Sequence, residues 1–228
     1  MMKNIAFVLW WLFATIVTKG QTSNLTFALK DTTKLQSLNV AILPEVFKTR
    51  QSVKVIDSNT GNNTELRMAK LPGVSFHNGT IEVELAGEPM KNTSEAARGF
   101  VGIAFRIDDL NEQFECIYLR PTNGRANDQV RRNHSVQYFS HPGFPWFKLR
   151  KEFPEKYETY VDLEPAKWTK IKIEVKDSVA RLFVHGVSEP SLIVSDLKLG
   201  ENARGSIGLW IGPGTEAHFR NLVVTKRD

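Results

Sequence analysis

The sequence predicts an all-β sandwich, and three observations lead to this fold class. Beyond residue 45, about eleven short runs carry apolar side chains at every second position, and Gly, Asn, Asp and Pro bound them. The single cysteine, Cys116, cannot form an internal disulfide, so a hydrophobic core must stabilise the fold. With 228 residues, 41% of them hydrophobic, the chain is long enough for one such core. Antiparallel strands of this kind pack as two sheets.

The first twenty residues resemble a cleavable signal peptide. Lys3 precedes an apolar run from residue 5 to residue 17, which ends at Thr18, Lys19 and Gly20. We expect cleavage after Gly20 and a secreted or periplasmic product, with an uncleaved anchor as the alternative. The run is shorter than the ~20 residues of a membrane helix, so no membrane insertion is expected after cleavage.

The charge of the mature chain is mild. Removal of the signal peptide takes away two lysines and no acid, so the formal charge of +5 falls to about +3. This does not favour a nucleic-acid partner, since such binding depends on many basic contacts.

The rest of the chain divides into an arm and a domain. Residues 21–45 have no clear period and are predicted to be an N-terminal arm on the edge of a sandwich domain at 46–228. Two hairpins are predicted, TKIKIEVKDSVARLFVHG with a turn at Asp177–Ser178, and GSIGLWIGPGTEAHFRNLVV with a turn at Pro213–Gly214. Before the first of these hairpins, residues 142–167 are predicted to form a long aromatic-rich insertion, with one helical turn or two.

The segment from Leu119 to Trp146 is the candidate ligand site. It holds four arginines among amides, histidines and aromatics, without a repeating apolar spacing. Arginine forks and amides can bond to vicinal hydroxyls, and an aromatic ring can cover the apolar side of a sugar. The predicted ligand-binding residues in this segment are Arg120, Asn123, Arg125, Asn127, Asp128, Arg132, His134, Gln137, Tyr138 and Trp146. The alternative is an internal network that ties the loop to itself.

Arg106 is a further candidate. In GFVGIAFRI, strand alternation places Gly102, Ala104 and Arg106 on one face, where small residues beside an arginine would make a shallow floor for a polyhydroxyl ligand. The alternative is an ion pair between Arg106 and Glu115.

The chain resembles a known superfamily over residues 74–225. The segments FHNGTIEVELA, GFVGIAFRI, WTKIKIEVKDSVARLFVHG and GSIGLWIGPGTEAHFRNLVV are similar to those of the concanavalin A-like lectin/glucanase superfamily. Within it, the chain is most similar to laminin-G-like and DUF1080 secreted bacterial proteins, some of them called 3-keto-disaccharide hydrolases. The resemblance implies a jelly-roll sandwich of two antiparallel sheets that binds ligands on its concave face or rim.

Catalysis and metal binding have weaker signals. Glu115, Asp128 and His134 are the candidates for an acid or base if the protein is a glycoside hydrolase or lyase. No cofactor is predicted, and the histidines form no recognisable metal-ligand set. Asp108, Asp109 and Asn111 could hold calcium or form a solvated turn.

These observations predict an exported carbohydrate-binding sandwich with carbohydrate as its partner. A glycoside hydrolase acting on a glycoside or 3-keto-glycoside is the first alternative. A laminin-G-like protein-interaction module is the second, and it would show an exposed apolar patch together with a self-satisfied arginine segment.

Overall fold

The computed structural model describes residues 22–58 and 64–227. The predicted signal peptide and its cleavage point lie outside the described residues. The described chain forms two antiparallel sheets packed as a sandwich, so the predicted all-β fold class is confirmed. No helix among the described residues is long and apolar enough to cross a membrane.

Fifteen strands and three short helical segments follow one another along the described chain. The strands are β1 Thr22–Phe27, β2 Gln36–Leu38, β3 Val40–Phe47, β4 Arg50–Asp57, β5 Met68–Phe76, β6 Gly79–Pro89, β7 Val101–Ile107, β8 Phe114–Leu119, β9 Val136–His141, β10 Glu158–Thr159, β11 Thr169–Lys176, β12 Val179–Val184, β13 Leu192–Val194, β14 Gly205–Ile211 and β15 Thr215–Arg227. The helices are α1 Gln129–Asn133 and α2 Trp146–Glu152, and a 3₁₀ turn spans Pro121–Asn123.

The two sheets share the strands almost equally. The eight-stranded sheet has the order β13-β12-β11-β6-β15-β4-β3, with β1 also paired to β15. The seven-stranded sheet has the order β10-β9-β8-β7-β14-β5-β2. In β11, Ile171 and Ile173 are buried between the sheets, whereas Lys170 on the other face is exposed. The predicted hairpin of β11 and β12 is confirmed, because Lys176 pairs with Val179 across its two-residue turn.

The second predicted hairpin is wrong. Strand β14 pairs with β5 and β7, whereas β15 pairs with β1, β4 and β6, so the turn at Pro213–Gly214 carries the chain from one sheet to the other. The turn residues indicate that the chain reverses, but they do not indicate which neighbour each strand takes.

The residues assigned to an arm belong to the sheets. Within the described residues 22–47, β1 pairs with β15, β2 with β5 and β3 with β4, and the boundary at residues 45 and 46 falls inside β3. Strand β3 is an edge strand with mostly exposed side chains, so its backbone pairing leaves no alternating apolar signal in the sequence.

The centre of the seven-stranded sheet is buried on both faces. Every residue of β7 and β8 is buried, and the inner face includes Val101, which approaches Gly87 of the opposite sheet. The register places Tyr118, Phe139 and Trp210 together on the outer face. Their ring centres lie 4.9 to 5.8 Å apart, so the outer face carries an aromatic layer of its own.

Candidate functional site

The insertion after β9 brings an aromatic ring and a second arginine to the outer face of the seven-stranded sheet. Helix α2 packs near β9 and begins with Trp146, whose ring is half-buried. The guanidinium carbons of Arg120 and Arg150 lie 5.1 and 4.9 Å from the centre of this ring. Such contacts between cations and indole rings are favourable. We call this group, together with its hydrogen-bonded neighbours, the arginine–aromatic site, made of Arg120, His134, Gln137, Trp146, Arg150 and Glu158.

Arg120 forms the bottom of the site. It follows β8 directly, and Pro121 ends the pairing of that strand, so the side chain turns onto the outer face. The residue is only 5% exposed. Its Nη2 donates to the Tyr118 hydroxyl at 2.5 Å and to Gln137 Oε1 at 3.4 Å, and its Nη1 donates to the His134 carbonyl at 3.4 Å. All three acceptors are neutral.

Gln137 joins the two arginines of the site. Its Oε1 accepts from Arg120 and also from Arg150 Nη2, at 3.1 Å. Arg150 then forms an ion pair with Glu158, with an Nη2 to Oε2 distance of 2.6 Å. Arg150 Nη1 has no acceptor among the described residues, and its side chain is 30% exposed, so a donor of the site faces outward.

His134 closes the network beside Glu158. Its Nδ1 lies 2.8 Å from Glu158 Oε2. Burial lowers the pKa of His134; Glu158 opposes this shift, and the charges of Arg150 and Arg120 add to it.

The structure thus brings together four of the residues that the sequence predicts for ligand binding, Arg120, His134, Gln137 and Trp146. Asn123 lies directly behind them, because its side-chain amide donates to the His134 carbonyl at 3.2 Å.

Arg125 and Arg132 are held by other groups. Arg125 donates to both Asp162 oxygens, at 2.7 and 2.9 Å, and lies 3.0 Å from Glu164. The Asp162 hydrogen bond raises the pKa of Arg125. Arg132 donates to the Tyr160 hydroxyl at 2.8 Å and lies over that ring. These contacts correspond to the alternative of an internal network.

Asp128 and Asn127 do not reach the site. Asp128 is the N-cap of α1, where its Oδ1 accepts from the Arg131 backbone N–H at 2.8 Å. Asn127 precedes it and is exposed. Asp128 therefore has a structural role, as a helix cap, rather than the ligand-binding role predicted for it.

The predicted position of Arg106 is corrected by the structure. Ile107 pairs with Ser206 and Ala104 with Gly208, so β7 has one extra residue here and the alternation breaks. Arg106 adopts φ 56° and lies only 1% exposed at one end of the sandwich. There it donates to the carbonyls of His77, Asp177 and Gly200 at 2.7 to 3.2 Å. It does not share a face with Gly102 and Ala104, and both of these residues are buried, so the predicted floor is not exposed.

Tyr138 and Glu115 are likewise in the interior. Both are fully buried on the inner face, where the Tyr138 hydroxyl donates to Glu115 Oε2. The backbone N–H groups of Lys198 and Leu199 donate to Tyr138 Oη and Glu115 Oε1, at 2.9 and 2.7 Å. Burial raises the pKa of both groups. They cannot act as a stacking platform or an acid on the outer face, so these two predictions are corrected.

The candidate calcium ligands are engaged in a turn. Asp108 Oδ1 accepts from the backbone N–H groups of Glu112 and Gln113, at 2.7 and 3.0 Å. Lys70 donates to Asn111 Oδ1, which places a cation against this oxygen. Across residues 22–58 and 64–227, no group of three His, Cys, Asp or Glu side chains is arranged to hold a metal ion.

Two residues of the site, Arg150 and Glu158, and the neighbouring Glu65 were not predicted from the sequence. Arg150 stands four residues after Trp146, the spacing that puts two side chains on one side of a helix, and this was the available signal. Glu65 approaches from the loop before β5, where Trp210 Nε1 donates to its carbonyl at 2.7 Å. Burial raises the pKa of the Glu65 carboxyl, against the opposing charges of Arg67 and Arg120. No sequence pattern indicates this loop contact.

Comparison with known proteins supports the fold. No family model and no curated protein matches the chain. A Bacillus subtilis protein of unknown function with a galectin-like fold is 11% identical, with 90% of this chain and 96% of that one covered and a TM-score of 0.56. A β-glucanase from Bacillus licheniformis is 14% identical, with 92% and 100% covered and a TM-score of 0.50. The chain has the concanavalin A-like jelly-roll fold. At sequence identities this low, structural similarity shows a shared fold and does not show a shared function.

Proposed function

We propose that the chain is an exported protein that binds carbohydrate at the arginine–aromatic site. The observation that carries the proposal is the pairing of a half-buried Trp146 ring with two guanidiniums, which Gln137 joins by accepting from both. Sugar rings have an apolar C–H side and a rim of hydroxyls. A ring beside fixed donors and acceptors complements both features.

The two arginines of the site are held by neighbouring groups. Arg120 is held by three acceptors, and Arg150 is held by Glu158 and Gln137. Side chains fixed in this way lose little conformational entropy on binding. The outward-facing Nη1 of Arg150 is the donor that we assign to a sugar hydroxyl, and the exposed part of Trp146 is the stacking surface.

The fold adds support by analogy. One solved protein with this fold is a β-glucanase, and its likeness to this chain is structural. We also propose the finer relationship to laminin-G-like and DUF1080 proteins, which rests on the resemblance of the strand segments. Export rests on the signal-peptide pattern of residues 1–20.

The test is a glycan array with the full chain, expressed with its leader in a secreting host. The leader is expected to be removed, and mass spectrometry should find Gln21 as the first residue. Glycans bound by the wild-type protein should be lost with Trp146→Ala and with Arg150→Met.

Arg125→Ala is the matched control, because Arg125 is exposed and bonded to Asp162 outside the site. Its binding should equal that of the wild type. The proposal fails if folded wild-type protein binds no glycan, or if Arg125→Ala reduces binding as strongly as Trp146→Ala. A silent array would favour the laminin-G-like interaction module.

A glycoside hydrolase is the second candidate, and Glu65 favours it. Hydrolysis uses a general-acid carboxyl whose pKa is raised, and burial raises the pKa of Glu65 above its usual value, against the opposing charges of Arg67 and Arg120. Of the acids predicted earlier, Glu115 is interior and Asp128 caps a helix. Incubation of the bound glycan with wild-type protein and with Glu65→Gln separates the two candidates, because products from the wild type alone would establish hydrolysis.

A further inference from the structure

Three arginines lie on neighbouring segments beside the arginine–aromatic site. Arg98 lies in the loop before β7, Arg120 follows β8, and Arg131 lies in α1. The two loops touch, since the Thr122 N–H donates to the Arg98 carbonyl at 3.3 Å. Arg131 Nη2 reaches Asn123 Oδ1 at 3.5 Å in the same loop. Burial, and then the charges of Arg131 and Arg120, lower the pKa of Arg98, as expected for neighbouring cations.

Within the described part of the chain, none of these three arginines has an acidic partner. Arg98 donates to the backbone carbonyls of Glu95 and Ala97, and the acceptors of Arg120 and Arg131 are all neutral. No carboxylate oxygen among the described residues lies within 4.0 Å of their nitrogens. Glu65 acts on Arg120 only at longer range.

Two buried polar atoms in this place also lack partners. Arg120 is 95% buried, yet its Nε has no acceptor among the described residues. The Thr122 hydroxyl, two residues later, is also buried and finds no partner in the part of the chain that the structure describes. Buried polar atoms are usually hydrogen-bonded, so these orphans mark a place that a ligand can complete.

We propose that Arg98, Arg120 and Arg131 form a subsite for an anionic group carried by the glycan, either the carboxylate of a uronic acid or a sulfate ester. Like charges brought together without a counterion repel one another. A bound oxyanion offsets this repulsion and accepts several charge-assisted hydrogen bonds from the guanidiniums. The subsite adjoins the stacking surface, because the Arg120 guanidinium is 5.1 Å from the Trp146 ring centre. One acidic sugar therefore spans both. The inference rests on the proposed function and specifies its ligand class.

The exposure of the three side chains is graded. Arg131 is exposed, Arg98 is half-buried and Arg120 is buried. An anion arriving from solvent meets Arg131 first and Arg120 last. Arg131 is therefore the residue to change, since its loss disturbs no packing.

The test measures calorimetric affinities of the full chain for four oligosaccharides of equal length. They are oligogalacturonate, its methyl ester, a sulfated galactan and a neutral galactan. We expect wild-type protein to bind at least one of the two anionic oligosaccharides about tenfold more tightly than the neutral one, with this preference weakening at high salt. A preference for oligogalacturonate assigns a carboxylate, and a preference for sulfated galactan assigns a sulfate ester.

Arg131→Gln should remove most of the preference and leave neutral binding unchanged. Arg132→Gln is the matched control, because it is the next residue of the same helix and bonds to Tyr160 instead. Equal affinity for neutral and anionic glycans would overturn the subsite while the proposed function stands. Equal effects of the two substitutions would also overturn it. If folded wild-type protein binds no glycan at all, both proposals fail.

Discussion

Arg106 should be among the most important single side chains for stability. Its guanidinium donates to three backbone carbonyls, those of His77, Asp177 and Gly200, which belong to turns of both sheets. The residue is 1% exposed, so these carbonyls have no ready access to water when the guanidinium is removed. Each buried acceptor left without a donor costs about 1–3 kcal/mol. Because neighbouring losses overlap, we expect Arg106→Met to lower the free energy of unfolding by about 3–5 kcal/mol.

The assay is urea unfolding followed by tryptophan fluorescence. With a slope of about 2 kcal/mol/M, the expected loss moves the midpoint down by about 1.5–2.5 M. Arg106→Lys should fall between the wild type and Arg106→Met, because an ammonium keeps the charge but cannot span the same acceptors as a planar fork.

Arg125→Met is the control for this experiment. It removes an arginine with two close carboxylate contacts to Asp162, but both side chains are about half exposed, at 54% and 53%. Exposed ion pairs contribute about 0–1 kcal/mol. The reasoning is refuted if Arg106→Met shifts the midpoint no more than Arg125→Met does.

Three further predictions concern other parts of the fold. A Cβ on Gly102 would lie 2.3 Å from the Ile117 carbonyl and 2.5 Å from Tyr118 Cβ. Gly102→Ala should therefore cost about 1–3 kcal/mol and lower Tm by several degrees, and an unchanged melting curve would contradict the close contact. Cys116 is fully buried and burial raises its pKa, so a thiol reagent should leave folded protein unlabelled and react once urea is added; prompt labelling without urea would refute this. Burial opposes the shift at Asp196, but its hydrogen bonds lower the pKa from 3.8 to about 2. Because the folded pKa is the lower one, its stabilisation is present above about pH 4 and lost as the pH falls towards 2. Between about pH 4 and pH 2, the free energy of unfolding from urea titrations should fall less for Asp196→Asn than for the wild type. Equal falls for the two proteins would contradict this role of Asp196.

Strand content was predictable because alternation is the physical signature of a sheet with unlike faces. The prediction failed where that premise fails. Strand β3 lies at an edge with little buried on either side, so residues 21–45 resembled an arm. In β7, counting by twos placed Arg106 with Gly102, but the extra residue opposite β14 turns Arg106 towards the other sheet. A bulge of this kind depends on the neighbouring strand, which the local sequence does not contain.

The candidate site was predictable only where the residues lie close in sequence. Arg120, His134 and Gln137 stand around one loop between adjacent strands, so a single polar segment indicated them together. Glu158 and Glu65 reach the same surface from the end of the insertion and from the loop before β5. The positions of these two glutamates depend on the way in which long loop segments fold back over the sheet. Neither segment has a periodic sequence pattern from which that path could be predicted.

The partners of the arginines separate structural from ligand-binding roles more sharply than their positions in the sequence do. Arg125 is neutralised by carboxylates at the surface, and Arg106 is satisfied by carbonyls in the interior, so neither has a reason to attract an anion. Arg98 and Arg131 meet Arg120 with only neutral acceptors around them. A folded chain that retains such repulsion beside a buried, unpartnered donor forgoes some stability. A ligand that supplies the missing negative charge recovers it as binding energy, and this is why we place the ligand there rather than at the arginines that are already paired.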